Sequence, residues 1–481
     1  MKYQNLVGVI PALLFSAGMV ATPVQAKVSA EEAMQLGLTG TPLTPVGAER
    51  AGNAEGTIPE WTGGITEYPE GYVPGGWYVD PFADDEILFT ITAQNYKQYA
   101  DKLTPGTQAL FERYPDSFKM NIYPTRRSAS FPDSYYENSI WNATNTEFVG
   151  SDDPTLAERS VKKETFKPGV WFPIPKTAGE ALWNHTYFYW GKSFQANSYG
   201  MNVFADGTYA DHMKVDRWIM PWAMTADEIP DSDYFKTKGG GALWCGSQED
   251  VYPPRTAGQM FGGCNTWEQN DFDAYLYIPG QRRVRKAPEI GFYDSPGSGS
   301  DGLRTADQRF LWAITGSEEW YEFDELKKAE YYVPYNSYKM AQPGVTFDDL
   351  ARPGHLNPEY KRYELHRTWV VEGRTRPQFR HLSPHRLVYS DEDTWAGLSA
   401  DMYDAEDKMW RVSESYNINF YDHKLNYFWG DAHMDIISGR YACVNSFYNI
   451  GIKDGNKPPV FDGEPAWTHQ TPAGLRKHGV R

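Results

Sequence analysis

Met201-Asn-Val-Phe-Ala-Asp-Gly-Thr-Tyr-Ala-Asp-His-Met213 is the stretch on which the fold turns. Two alternating runs, Met201–Phe204 and Thr208–Met213, flank Asp206-Gly207. An Asp-Gly pair fills the positive-φ positions of a tight turn whose twist matches that of the strands it joins. The pattern therefore predicts an antiparallel hairpin. The same grammar continues downstream. Phe272–Ile278 alternates, breaks at Pro279-Gly280 and resumes at Val284. Tyr363–Val371, His385–Tyr389, Leu398–Tyr403, Lys408–Ser413, Tyr427–Trp429 and Asp435–Val444 follow, separated by turn-forming or charged gaps. Such spacing predicts a meandering antiparallel sheet from Trp183 onward. Residues 223–262 and 294–302 read as loops, and no repeat of fixed period is present.

Upstream the periodicity is different. Ser29 to Leu36 reads as a short helix with Ser29 as N-cap and Glu31 and Glu32 in its first turn. Residues 37–86, rich in Gly, Pro and Trp, read as an extended wrap over the body. Thr92 to Tyr114 predicts two helices, the second opened by Thr104-Pro105. Thr177-x-x-Glu180 is a capping box for a third helix ending near Trp183. The expected organisation is one large domain over 27–481. It divides into a wrapping segment (27–91), a helical lid region (92–183), a sheet (184–450) and a C-terminal tail (451–481).

Met1–Ala26 reads as a cleavable export signal: Lys2, an apolar stretch from Leu6 to Val20, and Val24-Gln25-Ala26 as the cleavage pattern. The apolar stretch is broken by Pro11 and too short for a spanning helix. No cysteine near the cleavage site could carry a lipid. The expectation is a soluble protein exported to the periplasm, membrane-peripheral at most.

The 481 residues carry a formal charge of −17, which argues against general nucleic-acid binding. Aromatics reach 15% of the chain. They suit a β-rich protein with aromatic cross-strand pairs, and equally a concave face that holds an apolar or sugar ligand. Cys245 and Cys264 flank a Gly/Pro-rich stretch and are expected to form a disulfide. Cys443, in an apolar run, is expected to be a buried free thiol.

Motifs for common chemistries are missing or out of context. Gly297-Ser-Gly299-Ser-Asp-Gly302 matches a dinucleotide fingerprint as a string, but follows Asp294-Ser295-Pro296 in a polar turn. There is no nucleophile elbow, H-E-x-x-H helix or phosphate loop. Asp431-x-His433-x-Asp435 puts three ligand-type side chains on one strand face. Without a fourth ligand it reads as a hydrogen-bonded polar row. His381-x-x-x-His385 is split by Pro384. No metal or cofactor is expected. Arg282, Arg283, Arg285 and Lys286 form a cationic strip in an acidic chain. They are candidates to contact an anionic headgroup or an acidic partner, against the alternative of an edge strand protected by charge.

Several segments resemble the proteobacterial family called domain of unknown function 1329, described as similar to outer-membrane lipoprotein localisation proteins. They are Leu43-Thr-Pro-Val-Gly-Ala-Glu-Arg-Ala-Gly-Asn-Ala-Glu-Gly-Thr-Ile-Pro-Glu-Trp-Thr-Gly-Gly64, Asp80-Pro-Phe-Ala-Asp84, Tyr123-Pro-Thr-Arg-Arg127 and Phe172-Pro-Ile-Pro175 running into Trp183-Asn-His185. Further along come Tyr277-Ile-Pro-Gly-Gln-Arg-Arg-Val-Arg285, Val333-Pro-Tyr-Asn336, Arg362-Tyr-Glu-Leu-His-Arg-Thr-Trp-Val-Val-Glu372, Asp391-Glu-Asp-Thr-Trp395 and Trp410-Arg411. The resemblance implies an α+β, β-dominated fold: a curved antiparallel sheet, or incomplete β-barrel, with a helical lid over an apolar cavity. It implies an exported protein working with transporters of the resistance-nodulation-division type, and carries no catalytic residues. The Cys245–Cys264 stretch departs from it and reads as insertion-like.

These readings lead to a periplasmic carrier or accessory protein for a lipid or other hydrophobic molecule, associated with the outer membrane in one version. Burying an acyl chain gains about 0.8 kcal/mol per CH₂, on the order of 10 kcal/mol for sixteen carbons before ordering costs. Two alternatives stay open: a docking or assembly protein at the outer membrane without a ligand, and a secreted hydrolase of lipids, esters or glycans. A vacant interior favours the carrier; a filled one favours docking.

Overall fold

The computed structural model describes residues 28–148, 160–267, 272–286, 299–312, 320–451 and 455–479. The export segment 1–26, the first part of the loop 294–302 and Gly297 of the glycine string lie outside the described residues.

Among the described residues seventeen strands run in chain order: β1 (Phe89–Ile91), β2 (Met120–Ile122), β3 (Ser193–Val203), β4 (Tyr209–Ile219), β5 (Ala242–Tyr252), β6 (Met260–Thr266), β7 (Phe272–Ile278), β8 (Arg283–Lys286), β9 (Tyr321–Phe323), β10 (Lys327–Pro334), β11 (Tyr363–Thr375), β12 (His385–Asp391), β13 (Gly397–Tyr403), β14 (Met409–Phe420), β15 (Leu425–Asp435), β16 (Arg440–Ser446) and β17 (Val460–Phe461). The main ladder is antiparallel, in the order β8-β7-β6-β5-β4-β3-β16-β15-β14-β13-β12-β11. Strands β9 and β10 take the other side of β11. The β3–β4 hairpin forms where the sequence predicts it, with Gly207 at φ +87°.

Residues 223–262, read as loop, instead hold β5 and the start of β6. Gly262 and Gly263 interrupt the apolar alternation of β6. Gly263 is required there by close approach: a Cβ would meet the Asp273 carbonyl oxygen at 2.1 Å. The stretch read as insertion-like is thus a regular hairpin of the meander.

Helices α1 (Ala30–Ala33), α2 (Pro105–Arg113) and α4 (Ala178–Thr186) carry the predicted caps Ser29, Thr104 and Thr177. The first helix expected after Thr92 is a 3₁₀ segment, Tyr96–Lys102. Helix α3 (Asp133–Asn145) was not legible in the sequence. It lacks a side-chain cap and depends on tertiary bonds: Asn142 donates to the carbonyls of Lys167 and Val170, and Ser139 accepts from the Val170 amide.

Segment 299–312 reveals how the sheet curls. Arg309 lies 4.0 Å from the Trp244 ring centroid on β5. Three residues later, Trp312 packs 5.1 Å from Tyr321 on β9 and abuts Gly373 on β11. Strands β5 and β11 stand eight places apart in the ladder, about 38 Å in a flat sheet. Three residues span at most about 11 Å. The sheet therefore curls around this segment, and because no described residue pairs β8 with β10, it stays an incomplete barrel.

The hollow is apolar, as expected, but among the described residues it is occupied by the chain's own side chains. Trp171, Trp183, Tyr187, Phe188, Trp190 and Tyr427 are buried there in one continuous cluster. Close packing is the ordinary state of an apolar interior. No helix among the described residues is long and apolar enough to cross a membrane.

Candidate functional site

The most unusual part of the interior is the chamber around Arg309. A 3₁₀ turn, Ala306–Gln308, delivers it; Thr305 and Gln308 cap each other reciprocally. Gln308 reaches across to Met402 on β13. Arg309 then projects among rings, its guanidinium carbon 4.0 Å from Trp244, 4.3 Å from Phe310, 4.5 Å from Trp218 and 5.9 Å from Trp190. Its guanidinium makes no hydrogen bond or ion pair with any described residue. Burial lowers its pKa to about 10, partly offset by Tyr427 and Tyr187. A void of about 10 Å³ lies beside it, lined by residues that include Tyr187, Trp190, Trp222 and Trp244. That is room for about one water molecule.

The chain is strained as it leaves Arg309. Phe310 and Leu311 both take positive φ, +53° and +81°. Consecutive bulky residues in this region are outliers, and each costs on the order of 1–3 kcal/mol. Phe310 is held by Phe188 at 5.1 Å and Phe428 at 5.7 Å, and Leu311 is buried. Sequence reading missed Arg309: a lone Arg before Phe-Leu-Trp carries no local signal, and its partners come from β4, β5 and the α4–β3 connection.

The cationic strip lies elsewhere. Arg283 and Arg285 are exposed on β8, the end strand of the ladder among the described residues, and Arg282 sits in the turn before it at φ +50°, outside the strand. Lys286 pairs with Asp273 at 3.0 Å. None of the four reaches the Arg309 chamber. Cys245 and Cys264 are direct cross-strand partners joined by a disulfide, S–S 2.02 Å, and Cys443 is a buried free thiol.

The Asp431–Asp435 row is hydrogen-bonded throughout. Ser413 Oγ meets His433 Nδ1 at 2.9 Å, and His433 Nε2 lies 3.3 Å from Asp431. These distances suit a hydrolytic triad, but Ser413 and His433 are fully buried, and desolvation lowers the His433 pKa. Asp435 accepts from Trp410 Nε1 and from the turn amides of Ile437 and Ser438. His381 pairs with Asp307, and His385 with Glu372 and Asp407, so that pair diverges.

A second buried cluster collects segments far apart in sequence. Arg127 donates to both oxygens of Asp393, at 2.8 and 2.7 Å. Glu392 accepts from Arg367 at 2.7 Å and Lys328 at 3.1 Å. Arg362 binds Glu364 and Asp85, while Asn336 bridges Glu364 and Ser128. The wrap closes over it: Arg367 donates to the carbonyls of Glu49 and Ala51, and Trp395 donates to that of Val46. His366, Asp391 and Asp393 offer three ligand atoms within 4.8 Å of one another. Arg127 already takes both oxygens of Asp393, so a divalent cation fits poorly. Burial and the neighbouring Asp393 hold Asp391 well above the usual carboxylate range; Asp393, though buried, is kept low by Arg127.

The profile described as "Protein of unknown function (DUF1329)" matches residues 90–462. An uncharacterized protein of Pseudomonas aeruginosa is 37% identical over 482 residues, covering 97% of this chain and 98% of that one. Among solved structures, a domain assigned to outer membrane lipoprotein sorting from Vibrio parahaemolyticus overlaps with a TM-score of 0.40 at 13% identity, over 62% of this chain and 97% of that one. A DUF1329 protein from Desulfovibrio piger overlaps with a TM-score of 0.38 at 12% identity, over 62% and 96%. On the extent of the profile match and the full-length relative, the chain belongs to the DUF1329 family.

Proposed function

We propose that this protein is a periplasmic carrier or accessory protein that binds an anionic amphiphile, with the acyl part in the aromatic hollow and the headgroup on Arg309. The observation that carries the reading is a guanidinium caged by four rings without an acidic partner among the described residues. A carboxylate or phosphate entering the chamber would supply the missing partner, and charge-assisted bonds of this kind are the strong ones. The described conformation is the closed one. Opening would displace segment 299–312 and relieve the positive φ of Phe310 and Leu311, so stored strain offsets part of its cost.

Titration with a fluorescent fatty acid tests this. Saturable binding that weakens in Arg309→Gln, with a fatty alcohol analogue unaffected by the substitution, is expected. A protein that binds neither probe and carries no lipid by native mass spectrometry would sink the reading.

The filled hollow favours a second reading: a docking protein with no ligand, acting beside an envelope transporter of the resistance-nodulation-division type. Its signature would be a stable complex with the transporter that persists in Arg309→Gln.

A further inference from the structure

We infer that the β5–β8 wing is a docking surface for an anionic lipid bilayer, a reading independent of the Arg309 chamber. Among the described residues the ladder ends at β8, so this wing lies at one edge of the sheet. Its two hairpin turns touch: a Cβ on Gly258 would lie 3.1 Å from Pro279. Together they present Arg255, Arg282, Arg283 and Arg285, all exposed. None of these arginines has an ion-pair partner among the described residues.

The C-terminal helix, Pro472–His478, packs Leu475 against Met260 and Tyr277, with Val284 alongside, and adds exposed Arg476 and Lys477 on that side. Arg283 and Arg285 project from the opposite face of β8, because strand side chains alternate. Cations thus flank the edge strand on both sides. At the tip, Val251 and Tyr252 are 41% and 46% exposed, an aliphatic and an aromatic side chain beside the arginines. A bilayer interface accepts this combination: headgroup phosphates for guanidiniums, and the interfacial layer for tyrosine.

Charge asymmetry selects the orientation. The chain carries −17 overall, so an anionic surface repels most of it and attracts this wing. An acidic protein is less well matched, because the arginines sit on exposed hairpin turns beside exposed Val251 and Tyr252, a set that suits an interface with both phosphates and an apolar layer.

The test is flotation of the full-length mature protein with vesicles of phosphatidylglycerol and phosphatidylethanolamine, against vesicles of phosphatidylcholine alone. Binding to the anionic vesicles that falls with added salt is expected. R282Q/R283Q/R285Q should weaken it roughly 100-fold, at about fivefold per cation. The same charge change in K97Q/K408Q/K457Q, at exposed sites elsewhere, should weaken it far less. The wing variant should still bind a soluble fluorescent fatty acid as the parent does, which separates this surface from the ligand chamber. Equal binding to both vesicle types would overturn the inference. So would equal losses in the two triple variants, or a wing variant that keeps vesicle binding but loses a purified acidic protein partner.

Discussion

Arg127 and Asp393 lie 266 residues apart and meet in a two-point ion pair, at 2.8 and 2.7 Å, with both side chains almost free of solvent. Arg127 follows β2 and Asp393 follows β12, and the wrap covers both. This contact therefore locks three parts of the chain together.

Arg127→Ala leaves Asp393 buried without its partner, while Glu392 keeps Arg367 and Lys328. Breaking such a pair from one side costs about 3–5 kcal/mol. Urea denaturation should report a loss of that size, while the volume-matched double replacement R127M/D393L should cost clearly less. Equal losses in the two variants would mean that the pair matters through packing alone.

Asp391 predicts an unusual pH dependence. Burial and Asp393 raise its pKa in the folded state. Between the ordinary carboxylate value and the raised one, the folded chain holds the proton more firmly than the unfolded chain, so this group's contribution to stability is lost as pH rises from about 4 through neutrality. Tyr335 and Thr394 both donate to one oxygen of Asp391, at 2.9 and 2.8 Å, which an amide oxygen can replace. Asp391→Asn should therefore stabilise the protein more at pH 8 than at pH 5. Comparison of urea midpoints at the two values checks the sign.

Gly373 sits where the interior segment meets β11. A Cβ there would lie 2.6 Å from Trp312 and 3.1 Å from Phe323. Gly373→Ala should cost about 1–3 kcal/mol by overpacking. Near-ultraviolet circular dichroism should register the disturbed tryptophan environment. An unchanged melting curve would show that segment 299–312 yields easily.

The cysteines should titrate in three steps. Native protein should leave Cys443 unreactive toward a thiol reagent. Unfolding without reductant should expose one thiol, and reduction two more. Cys245→Ser paired with Cys264→Ser should lose about 3 kcal/mol, the loop-closure effect for a sequence separation of 19.

Much of the local structure was legible because its causes are local. Asp206-Gly207 fixed a hairpin through turn geometry, and Thr104-Pro105 and Thr177-x-x-Glu180 marked helix starts through capping. Helix α3 and strand β6 were illegible for the opposite reason. One rests on carbonyls 25 or more residues away, and the other tolerates glycines because β7 runs close beside it. Asp391-Glu392-Asp393 is an acidic run in the sequence, but its neutralisation by Arg127, Arg367 and Lys328 required segments after β2, on β10 and on β11 to converge.

The local hairpins, the position of most caps and the acidic, aromatic character of the chain follow from the sequence itself, since turns, caps and alternation act over a few residues. That β3 pairs with β16, which face curls inward, that segment 299–312 enters the hollow, and that Arg309 ends among rings without an acidic partner among the described residues were decided only in three dimensions. Curvature sums small twists over a dozen strands, and the environment of a charge depends on residues that no local pattern connects.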